Sequence, residues 1–169
     1  MAENIILKAR IASISFSDPI TSAAGLDTAV WVEQPLTLRD DEVSIVEEDP
    51  DESEVFSHEN DAAEDYNIVG KGLTVKGSFI KASYDQLVTL LGGTKEGVDP
   101  AFRFHRSAKK LTLSKAVKFT LTDGNDIIVP NAKGFVNASL SIGLNGVTKF
   151  PFKFKALVAA ADWDVSIIW

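Results

Sequence analysis

The segment from Gly134 to Val158 leaves little room for anything but antiparallel sheet. Over Gly134–Leu144, Phe135, Asn137, Ser139 and Ser141 alternate with Val136, Ala138, Leu140 and Ile142. Asn145-Gly146 follows at once, and Val147–Val158 runs back with Phe150, Phe152 and Phe154 set against Lys149, Lys153 and Lys155. Alternation with period two sends neighbouring side chains to opposite faces of a strand. Asn-Gly supplies two residues that tolerate the positive φ of a tight hairpin turn. The pattern therefore predicts a hairpin with its phenylalanines in the core and its lysines in an outward basic row.

The same period recurs along the chain. It predicts strands over Asn4–Phe16, Glu42–Glu47, Gly72–Ile80, Lys109–Ser114 and Val117–Thr122. Asp123-Gly124-Asn125 then supplies turn residues, Asp126–Val129 returns, and Asp164–Trp169 closes the chain as a last strand. Thr28–Val32 and Leu36–Leu38 read as extended, interrupted by Pro35. Proline cannot donate to a ladder, so this stretch is expected at an edge or a bend. One helix stands out. Ser83 and Gln86 have capping-box spacing, Tyr84, Leu87, Val88, Leu90 and Leu91 form an apolar stripe, and Gly92-Gly93 ends it.

These elements predict one domain, residues 1–169: an antiparallel β-sandwich or barrel of eight to ten strands with one short flanking helix over 83–92. Two stretches read as irregular. Residues 49–67 are acidic and long for a loop in a compact domain, and loops of that length are usually functional or disordered. Residues 94–108 form a second connection, turn-like at first and then carrying Phe102, Phe104 and His105.

Charge divides the chain. The formal net charge is −7, but residues 1–65 carry 17 acids and 3 bases, whereas residues 66–169 carry 7 acids and 14 bases. Such asymmetry suggests self-complementary association or an acidic tail. Chemistry is sparse by contrast. There is no Cys, which excludes a disulfide scaffold, a thiolate metal site and a cysteine nucleophile. The two histidines, His58 and His105, cannot make a three-histidine metal site. Asp49, Asp51 and Ser53 have the spacing of a calcium loop, but Glu54 stands where its glycine is needed and Asn60 where its bidentate glutamate is needed. No nucleophile-elbow, phosphate-loop, zincin or dinucleotide motif occurs. No apolar run is long enough to span a membrane. Neither an enzymatic activity nor a cofactor is expected.

Four stretches carry a resemblance to a known family. They are EVSIVEEDPDESEVFSHEND (Glu42–Asp61), GLTVKGSFIKASYDQLVTLLGGT (Gly72–Thr94), the hairpin around Asn145-Gly146, and ALVAAADWDVSIIW (Ala156–Trp169). The second is the most telling. The chain resembles the major tail tube protein of long-tailed bacteriophages, in the version found in Bacteroidetes-type prophages. It is similar more distantly to the tube proteins of contractile injection and type VI secretion systems. The resemblance implies β-sandwich subunits in hexameric rings, stacked into a tube whose negative lumen passes DNA without binding it. It also implies a long loop or arm that reaches the next ring. The implied partners are other copies of the chain and further tail proteins (terminator, tape measure, baseplate or sheath). The implied location is the virion tail, assembled in the host cytoplasm.

On this reading Asp49, Asp51, Glu52, Glu54 and Phe56 are the candidate inter-subunit arm, and Lys76, Lys109, Lys110, Lys153 and Lys155 the candidate basic surface that receives it. A reading from another class is a monomeric, carbohydrate-binding β-sandwich with Trp31, Trp163 and Trp169 as a stacking platform.

Overall fold

The computed structural model describes residues 10–159 and the backbone of 166–168. It is an antiparallel β-sandwich rolled into a barrel. In chain order the elements are β1 (Ile11–Ser17), α1 (Ala23–Thr28), β2 (Val32–Glu33), β3 (Ser44–Glu47), β4 (Asp51–Phe56), β5 (Ala63–Val69), β6 (Leu73–Phe79), α2 (Tyr84–Leu91), β7 (Gly93–Glu96), β8 (Arg103–Arg106), β9 (Leu113–Leu121), β10 (Asp126–Val136), β11 (Phe150–Ala156) and β12 (Ser166–Ile168). The main sheet runs β2-β1-β9-β10-β11-β6-β3, with β12 also on β10.

Pro35 is where the sheet closes. Before it, Gln34 N donates to Ile14 O of β1 at 2.8 Å; after it, Ile80 N donates to Leu36 O at 2.6 Å and Leu38 N to Ser78 O at 3.1 Å. The segment thus passes from one end of the ladder to the other, and the residue that cannot donate sits, buried, at the handover. The expected bend at Pro35 is therefore a seam rather than a free edge. Aromatic packing across the interior agrees. Phe16 of β1 lies 6.1 Å from Phe79 of β6 and 5.4 Å from Phe154 of β11, and Phe79 stacks on Phe152 at 4.4 Å. Phe150, Phe152 and Phe154 are all buried, and Lys153 and Lys155 point out, as the alternation predicts.

Two strands are longer than the sequence suggests. Lys109–Ser114 and Val117–Thr122 were expected as separate strands, but β9 is continuous from Leu113 to Leu121. Asp126–Val129 likewise continues through Pro130 into β10. A bulge explains both: the β9–β10 register shifts between Val129 and Ala132, which leaves Pro130 and Asn131 outside the regular pairing. The bulge also marks a change of neighbour. The first part of β10 pairs with β12, and the part after Pro130 pairs with β11. Gly134 is needed there because a Cβ would fall 2.0 Å from Lys153 O on the adjacent strand.

Other expectations need correction. The strand predicted over Asn4–Phe16 begins at Ile11 among the described residues, and its first positions lie outside them. Of the last predicted strand, Ser166–Ile168 pairs with β10, and Asp164, Val165 and Trp169 lie outside the described residues. Thr28–Val32 is not one extended stretch: Thr28 ends α1, a second helix that lacks a side-chain N-cap, and β2 starts only at Val32. Residues 94–108 are not irregular, because β7 and β8 pair as a hairpin. The predicted helix is present as α2. Ser83 Oγ accepts from Gln86 N at 3.2 Å, and Gln86 Oε1 accepts from Ser83 N at 2.9 Å. Leu90 and Leu91 anchor α2 in the core, and Gly92, at φ 73°, ends it.

Candidate functional site

The acidic stretch is a hairpin, not an irregular loop. β3 and β6 pair up to Glu47 opposite Leu73, and Glu48 N donates to Gly72 O at 3.0 Å. Beyond that point the same two chain segments re-pair as β4 and β5, from Asp51 opposite Val69 to Phe56 opposite Ala63. The arm is therefore a continuation of the β3–β6 hairpin past the end of the barrel. At about 3.3 Å per residue, its six-residue strand spans about 20 Å.

Its two strands have no core of their own, since every residue of β4 and β5 is exposed. Glu52, Glu54, Tyr66 and Ile68 share one face, and Asp51, Ser53, Val55, Asp65, Asn67 and Val69 share the other. Phe56, Tyr66 and Ile68 are 57%, 48% and 55% exposed. Residues 51–69 carry seven carboxylates and no Lys or Arg. A lone two-stranded hairpin is marginally stable in water, so local bonds at its two ends matter. At the tip, Ser57 Oγ and Asn60 Nδ2 both donate to Glu64 Oε1, at 2.8 and 2.6 Å. These bonds, Asn60 first, hold the Glu64 carboxyl below its ordinary value. They also engage the hydroxyl next to His58. At the root, Lys71 Nζ meets Asp51 at 2.6 Å. That bond, then the charges of Asp51, Glu48 and Asp49, raises the Lys71 ammonium above its usual value. Asp51 is thus tied within its own chain, whereas Glu52, Glu54 and Phe56 face solvent.

The basic candidates gather on one outer face. Across the sheet, Lys76 lies opposite Lys153, Lys153 opposite Phe135, and Lys155 opposite Lys133. Lys76, Lys133, Lys153 and Lys155 are all exposed. Glu48 is the acid at the rim of this face. Its carboxylate accepts from Thr74 Oγ1 at 2.6 Å and lies 3.8 Å from Lys155 Nζ. The Thr74 bond first, then Lys155, lowers its pKa. Among the described residues no ion pair holds Lys76, Lys133 or Lys153. Sequence reasoning left Lys133 and Phe135 out of this face. The signal was present, because they alternate with the buried Ala132, Gly134 and Val136.

Lys110 borders that face at Phe135, with Lys109 beside it in sequence. Lys110 Nζ donates to Val136 O at 2.6 Å and to Asn137 Oδ1, and sits 5.0 Å over the Phe135 ring. Burial, then Arg106, pushes its ammonium below the ordinary lysine value. It closes the far end of β10 more than it offers a free charge. Lys109 beside it is exposed. Lys149 is also occupied, by Asp41 at 2.8 Å, and that bond is the first cause of the lowered Asp41 pKa.

The predicted β10–β11 hairpin ends early. Regular pairing stops at Val136 opposite Phe152, and only Asn137 N donating to Pro151 O at 2.7 Å and one bridge between Ser139 and Lys149 carry it further. A turn with Gly146 N donating to Gly143 O at 3.1 Å closes the connection. The alternation continues through Leu140 and Ile142, but the barrel has ended, so these side chains have no interior to enter. As for the proposed sugar platform, Lys118 Nζ lies 4.9 Å over the Trp31 ring, and Trp163 and Trp169 lie outside the described residues. Among the described residues no helix is long and apolar enough to cross a membrane. No protein-family model matches the chain, and no curated protein matches it.

Proposed function

We propose that this chain is a structural subunit that polymerises, as stacked rings, into a tube of the phage-tail kind. The ring number of six, the passage of DNA through the lumen, the further tail proteins as partners and the virion location come with the family resemblance. The observation that carries the proposal is the arm: a six-rung hairpin beyond the barrel with no buried residue, seven carboxylates, no cation and exposed Phe56, Tyr66 and Ile68. An isolated monomer gains nothing from such an element. Covering Phe56 and Ile68 in an interface would contribute about 1.5–3 kcal/mol for each side chain fully buried.

Opposite charge on a separate face suits a head-to-tail contact, which generates filaments when it does not close on itself. The acidic arm and the row of Lys76, Lys133, Lys153 and Lys155 are two different surfaces of one subunit, as such a contact requires. Complementary charge of this kind sets register and direction more than raw affinity. In this role the lysines meet protein carboxylates rather than DNA, and the chain's net charge of −7 suits a conduit that must not retain phosphate.

Negative-stain electron microscopy of the concentrated protein tests the reading. Rings or tubes with a central hole are expected. Particles of single-subunit size at every concentration would overturn it.

A further inference from the structure

We infer that the connection between β10 and β11, residues 137–149, is the seat on which the arm of a second copy of this chain docks. The inference rests on the polymer reading and adds where the arm's apolar side chains go.

Placement comes first. The register sets Phe150 opposite Phe79, and Lys155 opposite Thr74. The β10–β11 connection therefore leaves the barrel at the Phe79 end of β6, and the arm leaves at the Leu73 end. Their roots are a strand length apart, about 20 Å for the seven residues of β6. Both segments lead away from the strand that separates them, so a contact between them belongs to two chains. It is heterologous, one end of a subunit on the opposite end of the next.

Surface comes second. Leu140, Ile142 and Leu144 are 69%, 98% and 102% exposed. Three neighbouring large apolar side chains in that state form a patch of the kind that marks an interaction site. The arm brings the matching apolar groups, Phe56 and Ile68, on an element equally bare.

Charge comes third and selects the occupant. There is no Lys or Arg between residues 40 and 70, and no Asp or Glu between residues 127 and 161. The arm is thus the most acidic projection; the 137–149 connection has no acid of its own, and Asp41 pairs its one lysine, Lys149. Lys110 is bonded to the root of that connection at Val136 O and Asn137 Oδ1, with Lys109 beside it. From there Phe135, Lys153 and Lys76 follow one another across the sheet. An arm seated on the apolar tip has this basic row next to it for its carboxylates. A second copy meets both demands, apolar cover and opposite charge.

The chain has no Cys, so engineered thiols report only on each other. A double variant, Phe56→Cys with Ile142→Cys, replaces two exposed side chains. Oxidised at high concentration and run on a non-reducing gel, it is expected to give a ladder of covalent trimers and larger species. Each single variant should stop at dimers, and an equimolar mixture of the two should give the mixed dimer. If the parent chain forms tubes but the double variant gives no ladder, the seat is wrong while the polymer reading stands. A ladder from Phe56→Cys with Lys153→Cys in its place puts the arm's tip on the basic face and also overturns the seat. A parent chain that stays monomeric at every concentration overturns the polymer reading itself.

Discussion

The β10–β11 hairpin and the β4–β5 arm are both antiparallel strand pairs, and they come to opposite ends. In β10–β11, Val136 and Phe154 are 1% and 0% exposed, and the lysines between the phenylalanines take the solvent face. In β4–β5, Val55 and Val69 lie on one face and Tyr66 and Ile68 on the other, each beside acids and amides, and none is covered. The difference lies in what stands opposite. β11 has β6 beside it and β1 across the barrel interior, so that Phe79 stacks on Phe152 and Phe16 meets Phe154. The arm has left the barrel before its pairing begins. Pairing fixes a strand and its two faces; it does not say that either face will find a partner within the same chain.

That contrast can be broken in several ways. The largest effect should come from the covered hairpin: Phe154→Ala removes a fully buried ring and is expected to cost about 3–5 kcal/mol of unfolding free energy in urea titration. A loss under about 1 kcal/mol would mean that the barrel interior is not the main support of the fold. Ser83→Ala should cost about 1 kcal/mol, because it breaks the capping box that starts α2. Substituting Phe56 and Ile68 together by Ser should change monomer stability by no more than about 0.5 kcal/mol per site, as expected for surface positions. A large loss there would show that the arm's apolar residues already have cover within one chain.

Acid should separate the two regions more finely. Asp41 and Glu48 have lowered pKa values in the folded chain, through Lys149 and Thr74 first. A carboxylate depressed by folding contributes stability above its unfolded pKa, and that contribution is lost as pH falls through the folded value. Asp41→Asn should therefore flatten the acid limb of a stability–pH curve. Glu64→Gln should leave that curve unchanged, because Glu64 bonds only to Ser57 and Asn60 at the arm's own tip. An equal flattening by both would mean that the arm folds as one cooperative unit with the barrel.

Much of the fold was legible in the residues, for identifiable reasons. β11 and the second part of β10 have one buried face and one wet face and declare themselves by period; the apolar spacing of β1, β3 and β6 was readable too, as was the capped helix. The bulge at Pro130 was not, because its cause lies in a neighbouring strand that changes sides. The arm was misread as irregular because carboxylates are poor strand formers, and pairing across residues 57–62 outweighs that preference. Lys133 and Phe135 were not assigned to the basic face although their alternation with Ala132, Gly134 and Val136 was plain. The exposed tip was hidden by its own regularity: Leu140 and Ile142 keep the inward phase of Val136, and nothing in the sequence marks where the barrel ends.

The central claim is that the arm joins copies of the chain and does little else. Deleting residues 51–69 tests it cleanly, because the cut brings Asp49-Pro50 onto Gly70-Lys71. Pro-Gly is a turn sequence in its own right, and the β3–β6 pairing that ends with Glu48 N on Gly72 O stays in place to receive it. Sedimentation velocity of the two proteins over a range of concentrations is the direct measurement. The full chain is expected to shift to large assemblies as concentration rises, and the deleted chain to remain a folded single subunit. Assemblies of the same size from both would contradict the account.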